Sequence, residues 1–269
     1  MFRSPEEAKL WVVIDFSYVA YRIYHSKNTK PKKDLFFDLI TSFLEPFRGH
    51  ELCLIFALDD EWLAKKAVDP QYKANRQKLP INPKSEYLPF IGMFPSYIAR
   101  AYAEEADDVI ATMVYSNKGD KKIAVITTDS DMGPMTTHPH TLLINARTGE
   151  PFGANGELNK FNVKAPLISL YKAVFGDQGD NVKAVVKGLR RAHYEVLICG
   201  SQGDDKRFLK LFIEELRLKR KIKTDAEEAE LRKRFYKNLE LVMLKKDVNV
   251  EIVPASQEPD LEEVYPLWK

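Results

Sequence analysis

The sequence predicts an α/β fold, with a central, mainly parallel sheet flanked by helices and a helical C-terminal region. Three observations predict it. Short apolar runs of strand length recur in the first half of the chain, stretches of helical spacing separate them, and from Val163 onward the periodicity is almost wholly helical. The 269 residues suit one large domain or two unequal ones, and 45% hydrophobic with 30% charged residues suits a chain that buries a core.

Leu10-Trp-Val-Val-Ile14 reads as the first buried strand and Leu52–Leu58 as the second. Between them, Leu35, Leu39, Phe43 and Phe47 sit at helical spacing over Asp34–Phe47. Glu105–Tyr115 is a second helix, with Val109, Ile110 and Met113 on its apolar face. Ile123–Ile126 and the weaker Leu142–Ile144 complete the expected strands, and Asn145-Ala-Arg-Thr-Gly149 reads as a hairpin turn. Helices then cover Asp205–Lys221 and Ala226–Leu244. Strands alternating with helices imply a parallel sheet covered on both faces. The expected division is a core over 1–160, a helical region over 161–253 and an extended tail over 254–269 that carries three prolines.

Composition excludes several classes. Two cysteines, Cys53 and Cys199, rule out a disulfide framework or a Cys-rich zinc site. The first apolar run is preceded by Glu6, Glu7 and Lys9 and broken by Asp15, which suits neither a signal peptide nor a membrane span and leads us to expect a soluble, cytoplasmic protein. The net charge of +2 hides an uneven distribution. Lys65–Arg100 holds seven basic and two acidic residues, Ala101–Met135 three basic and seven acidic, and Asp204–Lys246 fourteen basic and nine acidic. An acidic middle between basic flanks suits a pocket that needs cations beside surfaces that hold a polyanion.

The position of the acids sharpens this. Asp15 ends the first strand, Asp59 ends the second, and Asp129 and Asp131 follow the third. In a parallel sheet these carboxyl ends share one edge, where ligands bind. Glu105-Ala-Asp-Asp108 adds three acids at a helix start, where the helix dipole tolerates them. Any one of these acids could be only a cap. Together they cannot all stay ionised without cations or protons, and hard divalent ions with oxygen ligands, magnesium or manganese, are the natural solution. Two such ions are the usual apparatus for displacement at a phosphodiester. The five histidines are scattered and read as surface residues.

Five motifs in order, Asp15-Phe-Ser-Tyr-Val-Ala-Tyr-Arg22, Tyr72-Lys-Ala-Asn-Arg76, Glu105-Ala-Asp-Asp108, Thr127-Thr-Asp-Ser-Asp131 and Gly176-Asp-Gln-Gly-Asp-Asn181, resemble the 5′-nuclease superfamily. That superfamily includes flap endonucleases, the 5′-exonuclease domain of bacterial DNA polymerase I and phage 5′-3′ exonucleases. The likeness runs from Leu10 to Ala192 and leans toward the phage ribonuclease H branch, with an echo in Tyr236-Lys-Asn-Leu239. It implies a PIN-like core and a metal-dependent 5′-3′ exonuclease or flap endonuclease. The implied ligands of one Mg2+ are Asp15, Asp59, Glu105 and Asp107; those of a second are Asp131, Asp177 and Asp180, with Asp129 between and Asp108 as the last acid of its motif. Mn2+ is expected to substitute. Lys73, Arg76 and Arg22 match the family's catalytic cations, which would neutralise the scissile phosphate.

Two departures stand out. The Gly-rich hairpin that follows Gly-Asp-Asn in relatives keeps only Gly188 here, which leaves open whether a K+ ion is held; Lys183, Lys187, Arg190 and Arg191 are expected to contact DNA directly instead. The stretch Leu79–Pro95, where relatives carry a long arch, is short and holds four prolines, so an open cleft lined by Lys73, Arg76, Lys78 and Lys84 is expected. Tyr87 and Phe90 either clamp single-stranded DNA or simply pack that stretch down. The expected substrates are DNA with 5′ ends, nicks or flaps and RNA–DNA hybrids, in replication and primer removal within a bacterial or phage-infected cell. The acidic, aromatic-ended tail could dock a replication protein or its own helices. Two rivals are a single-strand ribonuclease of the PIN type and a DNA-junction binder without catalysis; the latter should have lost acids, and every expected acid is filled.

Overall fold

The computed structural model describes residues 1–77, 79–151 and 163–255. Among these, β1 (Leu10–Asp15), β2 (Leu52–Ala57), β3 (Ser96–Arg100), β4 (Lys122–Thr127), β5 (Thr141–Asn145) and β6 (Glu251–Pro254) form one sheet. The strand order is β5-β4-β1-β2-β3-β6, and every pair is parallel except β3 with β6. In register, Val13 lies opposite Ile55 on one side and Val125 on the other.

The helices are α1 (Phe16–Tyr24), α2 (Lys32–Leu44), α3 (Lys65–Val68), α4 (Pro83–Tyr87), α5 (Ala106–Ser116), α6 (Ile168–Phe175), α7 (Arg191–Ser201), α8 (Asp205–Leu218) and α9 (Asp225–Val242). Alternation along β1 feeds two cores. Val12 and Ile14 join Val19, Phe36 and Ile40 of α1 and α2 on one face, and Val13 joins Val109, Ile110 and Val114 of α5 on the other. All six residues of β2 are buried, as a strand covered on both faces requires. Each fully buried aliphatic or aromatic side chain here contributes about 1.5–3 kcal/mol. A third core lies among α6 to α9, around Tyr171, Phe208, Phe212 and Phe235.

All four expected strands are present, and the Asn145–Gly149 turn closes through the Gly149 N–H to the Asn145 carbonyl (2.8 Å). Two strands escape the pattern. Ser96-Tyr-Ile-Ala-Arg100 has no apolar run, and Glu251–Pro254 is a four-residue edge strand ending on proline, where no ladder donor is needed. The chain thus returns to the sheet where the helical region was expected to close; the tail beyond Ala255 lies outside the described residues.

Two features fix the loop that follows α6. Gly176 has φ +77°, and a Cβ there would lie 2.4 Å from the Val182 carbonyl oxygen, so only glycine fits. The loop closes on itself through the Asp177 N–H to the Val182 carbonyl (2.9 Å) and the reverse bond (2.8 Å). From α9, whose start carries a Thr224–Glu227 capping box, the buried Asn238 donates to the carbonyls of Ala173 (2.9 Å) and Lys183 (2.8 Å). Asn238→Ala strands both carbonyls and should cost about 1–3 kcal/mol, read as a lower urea midpoint with unchanged slope. An unshifted midpoint would show that the pair of bonds carries no weight.

Candidate active site

The strand order changes direction between β1 and β4, and ligands bind at such a switch point beyond the strands' carboxyl ends. Asp15 and Asp129 stand on its two sides. Asp15 caps α1, with Oδ1 accepting the N–H groups of Ser17 (2.9 Å) and Tyr18 (3.4 Å). Asp129 caps the 3-10 turn Ser130–Thr137 by accepting the Asp131 N–H (2.9 Å). Asp59, two residues past β2, accepts the Ala106 N–H (2.8 Å) and the Ser17 hydroxyl (2.6 Å), and so ties the starts of α5 and α1 together. Asp107, on the first turn of α5, lies within the field of Asp129, Asp15 and Glu105.

Asp131, Asp177 and Asp180 form a second group, their carboxylate oxygens within 4.8 Å of one another. The segment Tyr72–Arg76 lies between the groups. The Tyr72 hydroxyl is 3.1 Å from Glu105 Oε2 and 3.0 Å from Asp180 Oδ2. Lys73 Nζ is paired with Glu105 and lies 3.9 Å from Asp180, and Arg76 reaches Asp180 Oδ1 at 2.7 Å. Lys73 itself has φ +56°, held by its N–H on the Asp180 carbonyl (2.9 Å).

Three further lysines enter the acids. Lys65 pairs with Glu105 (2.7 Å) and Asp108 (3.0 Å), Lys84 with Asp59 (3.0 Å), and Lys172 of α6 with Asp177 (2.5 Å) and Asp131. Lys65 and Lys172 are 5% and 7% exposed, and sequence reasoning missed both because buried lysines leave no periodic signal. Lys65 lies in the counted basic stretch and Lys172 five residues before Asp177, but only the fold shows where they point.

The charges settle accordingly. Burial, together with Asp59 and Asp129, pushes Asp15 up to about 7. Burial and Asp129 push Asp131 up to about 7 against the opposing pull of Lys172. Burial, then Asp129, Asp15 and Glu105, holds Asp107 well above the usual carboxylate range. Burial also acts on Asp59, Glu105 and Asp177, but Lys84 with Ser17, Lys65 with Lys73, and Lys172 respectively more than offset it and hold them low. The donor set is entirely carboxylate oxygen, which suits hard divalent ions, and the raised Asp15, Asp107 and Asp131 are groups an added cation would relieve.

Other expected residues fall elsewhere. Asp108 is fully buried, accepts the Lys245 N–H (2.8 Å) and pairs with Lys65, because one residue past Asp107 the helix has turned toward the C-terminal segment; it is not among the acids facing the cleft. Arg22 donates to the Tyr18 hydroxyl (2.9 Å) and the Ala146 carbonyl (2.7 Å) at the wall of a cleft of about 820 Å3, which Asp15, Asp129, Arg76 and Lys84 also line. Arg147 lies on the same wall and was not foreseen. Lys84, expected on DNA, is engaged by Asp59. Tyr87 is buried and Phe90 packs on Phe36, so these rings pack their segment down and form no clamp. Lys183, Lys187, Arg190 and Arg191 are exposed on the connection from α6 to the start of α7, which also carries Asp177 and Asp180. Lys78 lies outside the described residues.

Residues 10–162 match the family model described as the 5′-3′ exonuclease, N-terminal resolvase-like domain. The chain belongs to this 5′-3′ exonuclease family. DNA polymerase I of Pseudomonas aeruginosa is 27% identical to it over 192 residues, 65% of this chain and 20% of that protein, so the chain spans about a fifth of that relative's length. The structure of T5 5′-exonuclease with bound zinc superposes with a TM-score of 0.65 at 19% identity, covering 87% of this chain and 89% of that one. The bacteriophage T5 flap endonuclease in complex with DNA and metal ions does so with a TM-score of 0.65 at 20% identity and the same coverage. These likenesses establish the 5′-nuclease fold for this family member. Among its described residues no helix is long and apolar enough to cross a membrane.

The raised acids set a pH dependence. Asp15 and Asp131 bind protons more tightly folded than unfolded, so their contribution is fully present below pH ~4 and is lost as pH rises through about 7, and the raised Asp107 acts in the same direction. Asp59, Glu105 and Asp177 act oppositely, but only below the ordinary carboxylate range. In EDTA the Tm should therefore fall between pH ~5 and ~8, and magnesium should raise it most at the upper end. A metal-free Tm that climbs across this window would contradict the crowding.

Proposed function

We propose that this chain is a metal-dependent 5′-3′ exonuclease and flap endonuclease that hydrolyses phosphodiester bonds in DNA, and in RNA–DNA hybrids, at 5′ ends, nicks and flaps. The observation that carries the reading is the pair of carboxylate groups beside the sheet edge, bridged by Tyr72 and Lys73, with Arg76 on Asp180. Asp15, Asp59, Glu105 and Asp107 would hold one Mg2+ and Asp131, Asp177 and Asp180 the second, with Asp129 between them and Mn2+ able to substitute. When bound, the two ions would supply positive charge to the attacking and leaving oxygens of the phosphodiester.

The chain's own cations do the rest. Lys73 stands between the two groups, and its ammonium, released from Glu105 as substrate enters, can meet the scissile phosphate. Arg22 and Arg76 on the cleft wall hold the phosphates on either side. The exposed Lys183, Lys187, Arg190 and Arg191 fit the duplex backbone through charge, so binding should weaken steeply with salt. Replication and primer removal in the cytoplasm of a bacterial or phage-infected cell suit such a specificity.

The test is a 5′-labelled flap and a nicked duplex, each incubated with magnesium, manganese or EDTA, with product lengths read directly. Asp131→Asn should lower cleavage by at least ~100-fold while DNA binding persists, because it removes one charged donor and keeps the shape. Full activity in that variant would remove Asp131 from the site, and binding without any cleavage by the native chain would favour a junction binder. Lys73→Ala should lower kcat more than it raises KM, since the contact is made to developing charge.

The segment from Leu79 to Pro95 supports entry from the side, because α4 and the 3-10 turn Leu88–Met93 lie folded against the α1–α2 core. A flap whose 5′ end is capped with streptavidin beforehand should still be cut at a comparable rate. Arrest by the cap, with free flaps cut normally, would mean that the strand is threaded.

A further inference from the structure

Two large aromatic rings stand outside the motifs of the family resemblance. Trp62 is 53% exposed and Tyr102 85% exposed, and they stack with centroids 6.3 Å apart and planes inclined by 28°. They lie in loops that leave the carboxyl ends of neighbouring strands β2 and β3. Those loops are laced together. Asp60 Oδ2 accepts the Ala103 N–H (2.5 Å), the Asp60 N–H donates to the Glu104 carbonyl (2.8 Å), and the Ala64 N–H donates to the Ala103 carbonyl (2.8 Å). Ala103 is held at φ +63°, a conformation that residues with a Cβ rarely adopt. The pair is thus displayed on a braced support.

A cleft of about 1310 Å3 leads to it. Its lining shares Tyr21, Asp59, Arg76 and Lys84 with the cleft over the acids, and it includes Tyr102 and the exposed Lys66. Flat exposed rings beside a cation, in a groove continuous with a phosphodiester site, are what single-stranded nucleic acid binds: bases stack on the rings without sequence preference, and the backbone follows the charge. We propose that Trp62 and Tyr102 form a stacking platform for bases of a single-stranded 5′ extension that has passed the acids. This rests on the nuclease reading and adds to it a grip on the extension.

The test is equilibrium binding in EDTA, by fluorescence anisotropy, of two nicked duplexes that differ only in a ~10-nucleotide thymidine 5′ flap. Trp62→Ala and Tyr102→Ala should each weaken the flapped duplex by about five- to tenfold and the unflapped one by less than about twofold. Trp62→Phe, which keeps a ring, should retain most of the affinity. Equal losses on both duplexes, or none on the flapped one, would overturn the platform; the second result would suit a protein-docking hot spot. The readout is affinity rather than product, so this comparison fails separately from the cleavage assay that tests the nuclease reading.

Discussion

Mutual repulsion among carboxylates is the constraint on which the rest of this structure depends. Parallel strands end at one edge, and this chain places acids at three of those ends and more on the helix and the loop beside them. Two kinds of relief are present within the protein. Asp15, Asp107 and Asp131 shift toward the protonated form, and Lys65, Lys73, Lys84 and Lys172 supply positive charge to the others. The division follows the balance of charge: lysines outweigh burial at Asp59, Glu105 and Asp177, whereas at Asp131 burial and Asp129 outweigh the pull of Lys172.

The buried lysines also explain why the site draws on distant parts of the chain. Burying an ammonium is costly unless it is paired, and each of these is paired with acids from a different element. Lys65 of α3 meets the start of α5, and Lys172 of α6 joins the loop after β4 to the loop after α6. The α/β core and the helices that follow it are therefore joined through charge as well as through apolar packing. Removing either lysine would leave carboxylates buried against one another, a larger penalty than the pair's own attraction.

Much of this was legible from the residues. Strand ends and the turn at Asn145–Gly149 follow from apolar runs and turn chemistry, and the acids from their place after those runs. Lys73 and Arg76 were legible only through the family motif. What escaped did so for physical reasons. β3 and β6 are held by neighbours rather than by composition, the latter closing an edge after more than a hundred intervening residues. Asp108 has the same residue type and motif as Asp107, yet one residue's rotation on the helix sends it into the protein. Tyr87 and Phe90 had two readings that composition could not separate, and burial among Phe36 and its neighbours decides for packing.

Asp108 then has a consequence of its own. Its carboxylate accepts the Lys245 N–H and shares Lys65 with Glu105, while the Lys245 ammonium binds Glu104 at 2.6 Å. The segment that leaves α9 for β6 is thereby fastened to the first turn of α5, one helical step from Asp107. A buried acid that turns away from the cleft helps to fix the helix start that carries Asp107, because its Oδ1 takes the Lys245 N–H of the segment leading to β6 and its Oδ2 takes the Lys65 ammonium of α3. The C-terminal return to the sheet is for that reason part of the site's support, although none of its residues lies among the acids.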